Sequence, residues 1–295
     1  MKLKVRGKEL NIEILQGDCI ESLKKLEDQS INTCITSPPY WGLRNYNDEE
    51  KQLGMEDTPE EFVDNLVNVF REVKRVLRDD GTLWLNLGDS WKDKQLLGMP
   101  WRTAFGLQSD GWILRSDIIW HKPAVMPSSV RDRVTNCHEY IFLLSKNKEY
   151  YYDNEIIKED STYKNSKGEY RPNGMSGIGK KSQGKNGFDI RSGLSNMKEQ
   201  PKRNKRSVWT ITTKPFKGAH FATFPKDLIE PCVLAGCPEG GTVLDPFGGS
   251  GTTGIVAAQH SRNAVLLELN QEYIDLANVR INNELGMFGQ GVQND

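Results

Sequence analysis

The chain has 295 residues, 37% of them hydrophobic, enough for a sizeable core and for one domain plus an insertion. No stretch approaches the roughly 20 apolar residues of a membrane span. Met1-Lys2-Leu3-Lys4-Val5-Arg6 lacks the apolar segment of a secretory signal, and the five cysteines (Cys19, Cys34, Cys137, Cys232, Cys237) have no C-x-x-C spacing, so neither a disulfide framework nor a zinc site is indicated and a reducing cytoplasm is expected. The formal net charge is −1, but residues 158–217 hold fifteen Lys or Arg against five Asp or Glu. That local balance of +10 leaves −11 for the remainder.

Taken in chain order, Leu10 to Leu15 is strand-like and leads into Gln16-Gly17-Asp18-Cys19. Ile31 to Ile35 is a short, partly apolar run ending in Thr36 and Ser37, where Pro38-Pro39 stops any strand. Pro59 to Leu77 carries Phe62, Leu66, Val69, Phe70, Val73, Val76 and Leu77 at helical spacing, with Asp80-Gly81 as the expected stop. Thr82 to Leu87 reads as a strand ending at Gly88-Asp89-Ser90. A helix is predicted over Trp101 to Asp110, then strands over Trp112 to Trp120 and Tyr140 to Leu144. Trp84, Trp112 and Trp120 are expected in the core, while Tyr150-Tyr151-Tyr152 fits either a core edge or a nucleic-acid contact.

The basic stretch is rich in glycine, serine and asparagine, and Lys202-Arg203-Asn204-Lys205-Arg206 is its densest patch. It reads as a loop-rich insertion that orders on DNA or, failing that, as a solvated linker. Beyond it, Asp227 to Ala235 has amphipathic helical spacing, and Thr242-Val243-Leu244 leads into Asp245-Pro246-Phe247-Gly248-Gly249-Ser250-Gly251-Thr252. A helix start follows at Thr253 to Ala258, then a strand at Ala264 to Leu267 ending in Glu268. Strand, glycine-rich turn and helix is the arrangement in which a ligand approaches backbone N–H groups, and an acid ending the next strand can accept from ribose hydroxyls. The loop is not G-x-G-x-x-G and no G-x-x-x-x-G-K-[ST] occurs, so a nucleoside without phosphates fits better than a dinucleotide or a nucleoside triphosphate. Alternating strands and helices predict an α/β fold with a doubly wound, mostly parallel sheet.

At the other end of the chain, Thr36-Ser37-Pro38-Pro39-Tyr40-Trp41 has its own chemistry. Two prolines contribute no N–H, so local carbonyls face outward as acceptors beside the flat faces of Tyr40 and Trp41. Acceptors next to an aromatic plate suit a planar base carrying an NH₂ group.

With these two segments in this order, the chain resembles the permuted, or beta, group of S-adenosylmethionine-dependent amino-methyltransferases of DNA. The resemblance implies a Rossmann-like methyltransferase fold in which Ser37, Pro38, Pro39 and Tyr40 form the catalytic motif. It also implies a cofactor site drawn from Asp18, Thr36, Phe224, Pro225, Asp245, Phe247, Gly249, Gly251, Thr252 and Glu268. Gln16-Gly17-Asp18-Cys19 would supply an adenine-contacting acid, and His220-Phe221-Ala222-Thr223-Phe224-Pro225 the segment upstream of the cofactor strand. The implied domains are a discontinuous catalytic domain over 1–150 and 211–285, a target-recognition insertion over 151–210 whose Lys202, Arg203, Lys205 and Arg206 hold DNA, and a tail from 286. Serine at the head of the motif usually accompanies cytosine-N4 methylation and aspartate adenine-N6 methylation, so adenine is the alternative base. Double-stranded DNA is the implied partner. A separately encoded restriction endonuclease and homodimerisation are further expectations of the resemblance, in a prokaryotic or phage-encoded protein.

Methylation at cytosine C5 would need a thiolate nucleophile, and Pro231-Cys232 superficially fits. Its helical surroundings make Cys232 a small apolar residue instead. His121, His138, His220 and His260 are scattered and read as structural, so no metal site is expected. An RNA amino-methyltransferase and an inactive DNA-binding homologue are the remaining readings.

Overall fold

The computed structural model describes residues 1–5, 7–42, 53–160, 202–213 and 224–286. The chain divides into two compact units at Asp153/Asn154 and Arg206/Ser207. In chain order the elements are β1 (Lys2–Val5), β2 (Lys8–Gln16), α1 (Cys19–Leu23), β3 (Ile31–Thr36), α2 (Pro59–Val76), β4 (Leu77–Leu87), β5 (Trp91–Lys92), β6 (Gln95–Leu96), α3 (Met99–Ser109), β7 (Ile113–His121) and β8 (His138–Ser145). Then come β9 (Glu159–Asp160), β10 (Lys202–Arg203), β11 (Val208–Thr210), α4 (Lys226–Gly236), β12 (Thr242–Asp245), α5 (Thr252–Gln259), β13 (Asn263–Glu268) and α6 (Gln271–Gly286).

The larger unit is built on a nine-stranded sheet of order β1-β2-β13-β12-β3-β4-β8-β7-β11. Strands β2, β13, β12, β3 and β4 are mutually parallel. Strand β8 runs antiparallel to both β4 and β7, and β11 adds parallel to β7. This is the expected doubly wound α/β arrangement, with a block of antiparallel pairing on one side. Strand β3 is buried on both faces along most of its length, which is why its sequence shows a run of apolar and small residues rather than an alternation.

Helix α2 shows how local signals and packing agree. Thr58 caps it by accepting from the Glu61 N–H, Pro59 opens its first turn, Glu60 and Glu61 face its N-terminal dipole, and Lys74 and Arg75 its C-terminal one. Its apolar stripe, Phe62, Leu66, Val69, Phe70, Val73 and Val76, is buried against the sheet and α3. The helix ends earlier than its sequence suggests. Leu77 is already extended (ψ 138°) and pairs with Ile31 of β3, so the strand takes over before Asp80-Gly81 can act as a stop.

Trp84, Trp112 and Trp120 are all buried, as expected. Tyr152 stacks on Trp84 with ring centroids 6.2 Å apart, and the Arg115 guanidinium lies over Tyr150 and donates to its hydroxyl at 3.1 Å, so these two tyrosines line the edge of the core. In the smaller unit, β9 and β10 pair as a short antiparallel ladder. None of the helices among the described residues is long and apolar enough to cross a membrane. Residues of the tail from 287 lie outside the described residues.

Candidate active site

Five parallel strands in the order β2-β13-β12-β3-β4 deliver their carboxyl ends to one edge of the sheet. Those ends carry Asp18, just after β2, Glu268, Asp245, Thr36-Ser37, and Leu87-Gly88. In an open α/β sheet this crevice is where ligands bind.

The glycine-rich loop after β12 is tied down from several sides. Buried Asp245 accepts from Thr36 Oγ1 at 2.6 Å, from Thr253 Oγ1 at 2.6 Å and from the Phe247 N–H at 3.1 Å. Burial pushes its carboxyl above the usual range, and those three donors pull it back. Gly251 sits at φ +77°, a left-handed conformation that opens α5, and a Cβ there would lie 3.0 Å from the Ala277 Cβ, so the loop needs glycine for both reasons. Glu268 accepts from the Gly249 N–H at 2.8 Å and from the Asn270 N–H at 2.9 Å. Burial raises its carboxyl above an ordinary glutamate's. Arg280 of α6 clasps the same loop, donating to the Ser250 carbonyl at 2.6 Å and to Thr252 Oγ1 at 3.2 Å.

The residue before Asp18 is tied to the end of β13, where the Gly17 N–H donates to the Glu268 carbonyl at 3.0 Å. Asp18 itself caps α1 by accepting from the Glu21 N–H at 3.0 Å. Pro225 is buried at the entry to α4 and Phe224 is half-buried; residues 220–223 lie outside the described residues.

The second cluster gathers at the ends of β3, β4 and β8. Ser37 is half-buried and Pro38 buried, so the Pro-Pro turn is fixed by packing as well as by its rings. Asn86 of β4 donates through Nδ2 to Ser37 Oγ at 3.3 Å, to the Tyr40 hydroxyl at 3.0 Å and to Glu139 Oε2 at 3.0 Å. The Tyr40 hydroxyl donates to the same Glu139 oxygen at 2.7 Å. Glu139 Oε1 forms an ion pair with Lys122 Nζ, which lies over the Trp120 ring, 4.3 Å from its centroid. Burial, reinforced by the Glu139 charge, holds the Tyr40 phenol far above its ordinary pKa, so it stays neutral. The Tyr40 ring rests against Gly88, where a Cβ would come within 2.6 Å of it. Trp41 is buried and donates from Nε1 to the Glu56 carbonyl at 2.9 Å, so it supports the turn from beneath.

The site therefore contains Ser37, Pro38, Pro39 and Tyr40, together with Asn86, Glu139 and Lys122, which sequence reasoning placed only in strands or not at all. Their signal in the sequence is faint: polar residues at the end of otherwise apolar strands, Asn86 in Leu85-Asn86-Leu87 and Glu139 ahead of Tyr140-Ile141-Phe142.

In the smaller unit, Lys202 and Arg206 are exposed and Lys205 is half-buried. Glu159 accepts from Arg203 Nε at 2.9 Å and from Arg206 Nε at 2.6 Å; the Arg203 side chain is only 18% exposed, so it is more a structural strut than a surface cation. Cys232 is buried inside α4 with its thiol directed at the Leu228 carbonyl at 3.7 Å, a small helix-interior residue with no access to a substrate. His121, His138 and His260 contact Thr210, Tyr140 and Glu230 respectively, and no group of three metal-ligating side chains occurs among the described residues.

This donor set fits S-adenosylmethionine. Glu268 and Asp18 offer acidic acceptors at the ends of neighbouring strands, the half-buried Gly249 leaves open backbone with nothing nearer than 3.8 Å to a Cβ built there, and the half-buried Phe247 supplies an apolar wall. Comparison with known proteins agrees. Residues 31–279 match the DNA methylase family model. The type II methyltransferase M.Cfr9I of Citrobacter freundii is 43% identical over 300 residues, covering 92% of this chain and 88% of that protein. M.SmaI of Serratia marcescens is 43% identical over 298 residues, covering 91% and 90%. Among solved structures, a putative DNA modification methylase from Thermus thermophilus, complexed with S-adenosyl-L-methionine, superposes with a TM-score of 0.62 at 26% identity, covering 96% of this chain and all of that one. The cytosine-N4-specific PvuII DNA methyltransferase superposes at 0.66 with 19% identity, covering 95% and 94%, a likeness of fold. The chain thus belongs to the DNA methylase family of S-adenosylmethionine-dependent amino-methyltransferases.

Proposed function

We propose that this DNA methyltransferase transfers the methyl group to the exocyclic N4 amine of a cytosine flipped out of double-stranded DNA, directly and with no covalent enzyme intermediate. The observation that carries this reading is Ser37 at the head of the clamp, a neutral hydroxyl fixed by the Asn86 amide beside the Tyr40 plate. A serine in that place is what the resemblance associates with cytosine.

The amine is a poor nucleophile because its lone pair is delocalised into the ring. Ser37 Oγ and the Pro38 carbonyl accept its two N–H bonds, which draws the nitrogen toward tetrahedral geometry and stabilises the positive charge that develops on it. Tyr40 stacks on the extruded base. Bound S-adenosylmethionine supplies an electrophilic methyl on a sulfonium. Asp18 and Glu268 hold its nucleoside end, and the Phe247–Gly251 loop its methionine end, with Thr36, Phe224, Pro225, Asp245 and Thr252 shaping the same site. Serine is too weak a base to deprotonate the amine beforehand, so the proton leaves after methyl transfer, when the methylated ammonium is strongly acidic.

Residues 151–210 serve as the target-recognition insertion on a catalytic domain formed by 1–150 and 211–285. Lys202, Lys205 and Arg206 hold phosphates there, with Arg203 contributing from its ion pair with Glu159. The local excess of +10 over residues 158–217 supports this. Relatives named type II methyltransferases support a place in restriction-modification, beside a separately encoded endonuclease, in a bacterial cytoplasm. Homodimerisation completes the reading.

The test is incubation with S-adenosylmethionine and unmethylated genomic DNA, digestion, and mass spectrometry of the nucleosides. 4-Methylcytosine is expected, and Ser37→Ala should abolish it. 6-Methyladenine would keep the clamp and overturn the base; no methylated nucleoside, with cofactor binding intact, would move the search to RNA.

A further inference from the structure

Two segments that flank the clamp have no part in its chemistry. Strand β4 ends at Leu87 and, past Gly88, runs into the β5–β6 hairpin, while residues 122–137 connect β7 to β8. Because β8 runs antiparallel to both β4 and β7, with Leu87 opposite Tyr140 and His121 opposite His138, hairpin and loop leave the sheet from the same edge. Both are rooted in the clamp. Lys122, at the foot of the loop, is ion-paired with Glu139, which accepts from the Tyr40 hydroxyl at 2.7 Å. In the hairpin, Lys92 Nζ lies over the Trp41 ring, 5.2 Å from its centroid, and just ahead of it Ser90 Oγ donates to the Trp41 carbonyl at 2.9 Å.

The two segments also hold each other. The Arg133 guanidinium lies over the Trp91 ring, 3.7 Å from its centroid, and Lys94 Nζ is 3.9 Å from Asp132 Oδ2. Their outer surface is unusual. Among the described residues eleven large hydrophobic side chains are exposed, and five of them, Trp91, Leu96, Met126, Val130 and Val134, are here, with Met126 at 88% and Val134 at 87%. Such clustering marks an interaction surface rather than scattered apolar residues. Cations are interleaved with it. Lys92, Lys94, Arg131 and Arg133 stand against Asp93 and Asp132, a local excess of +2 in a chain that carries −11 outside residues 158–217. The Lys94 side chain is 90% exposed and its pairing with Asp132 is long, so it stays available to a second anion.

We propose that the 91–96 hairpin and the 122–137 loop form a second DNA-binding surface, carried by the larger unit and separate from the 151–210 insertion, which clasps the duplex beside the extruded base. The proposal rests on the reading of Ser37 to Tyr40 as the place where that base is held. Charge and chemistry select the partner. Ammonium and guanidinium groups take phosphates, and exposed apolar side chains between them lie against sugars and base edges. A second copy of the chain meeting this face symmetrically would instead set its own cations against these, a like-charge contact.

The experiment measures binding of a fluorescent random-sequence DNA duplex by anisotropy over a range of salt concentrations, for the wild type and two double variants of the full chain. Lys94→Gln with Arg131→Gln removes two phosphate contacts. It should bind about 10-fold more weakly at low salt, and the slope of log affinity against log salt should become shallower by about 2. Met126→Ser with Val134→Ser removes apolar contact and should weaken binding by about 10-fold with the slope unchanged, because apolar burial releases no counterions. Affinity for S-adenosylmethionine should stay within about twofold in both, which shows that each has folded. Either double variant binding duplex with the wild-type affinity and slope would overturn the proposal. So would a wild-type dimer that the Met126→Ser, Val134→Ser variant dissociates without weaker DNA binding, since the face would then join two copies. If a variant fails to fold, the wild type decides: duplex DNA should protect Lys94 from acetylation by an amine-reactive reagent, and an unchanged acetylation rate overturns the proposal. Full methylation by Ser37→Ala would instead show that the underlying reading of the clamp is at fault.

Discussion

The Thr36 hydroxyl donates to the buried carboxylate of Asp245 at 2.6 Å, joining two residues 209 positions apart in the chain. Thr36 ends the strand that carries the amine clamp, and Asp245 ends the neighbouring strand that carries the cofactor loop. One hydrogen bond therefore fixes the proposed clamp and the proposed cofactor loop to each other. Thr36→Val keeps the shape and removes the donor, leaving Asp245 with Thr253 and the Phe247 N–H. A lost bond to a buried charged acceptor costs about 1.5–3 kcal/mol. Chemical denaturation should show that loss, and both cofactor affinity and methyl-transfer rate should fall together.

Gly88 tests the clamp separately from the cofactor. A Cβ at this position would lie 2.6 Å from the Tyr40 ring, and since the backbone there is not left-handed, the effect of Gly88→Ala is steric only. Displacing the ring should cost about 1–3 kcal/mol of stability and slow methylation by about 10-fold or more. S-adenosylmethionine binding, measured by calorimetry, should be unchanged.

Arg280 tests the cofactor loop from the opposite side. It donates to the Ser250 carbonyl and to Thr252 Oγ1, and Glu284 links it to Lys226 at the start of α4. Arg280→Met keeps most of the apolar stem and frees the turn. The expected result is about 10-fold weaker binding of S-adenosylmethionine, with a methyl-transfer rate at saturating cofactor close to wild type.

Much of this site is legible in the sequence, because the clamp and the cofactor loop are each local. Ser37-Pro38-Pro39-Tyr40 and Asp245 to Gly251 carry their geometry within a few residues, in prolines that fix φ and glycines that permit positive φ. Asn86, Glu139 and Lys122 are different. They meet Tyr40 only because β8 runs antiparallel between β4 and β7, bringing Leu87 opposite Tyr140 and Trp120 opposite Glu139. Apolar periodicity reveals that Tyr140 to Leu144 is a strand but not which strand it joins or in which direction. The end of α2 is illegible for a related reason: Leu77 fits the helical stripe, and only its pairing with Ile31 in the sheet overrides that pattern. Arg203 belongs to the same class, since its spacing gives no hint that Glu159 holds it from the facing strand.

With Glu268 in the proposed ribose-binding role, cofactor binding depends on pH in a direction that can be worked out. Burial raises its carboxyl above an ordinary glutamate's pKa, with the Asp245 charge adding to the effect, while the Asn270 and Gly249 N–H groups oppose it. An unfolded glutamate titrates near about 4.3. Because the folded value is higher, the folded protein binds the proton more tightly, and Glu268's contribution to the stability of the free protein is full below the unfolded pKa and lost as pH rises through the folded one. Ligand binding runs the other way. A carboxylate accepts from the ribose hydroxyls more strongly than a carboxylic acid does, so in the proposed site affinity for S-adenosylmethionine should fall as pH drops through the raised pKa, at a pH where ordinary glutamates are still charged. Calorimetric titrations across the mildly acidic range should show this fall, with binding releasing a proton to the buffer. Glu268→Gln should bind more weakly near neutral pH and lose that part of the pH dependence; a Gln variant with the wild-type pH profile would place the titrating group elsewhere in the site.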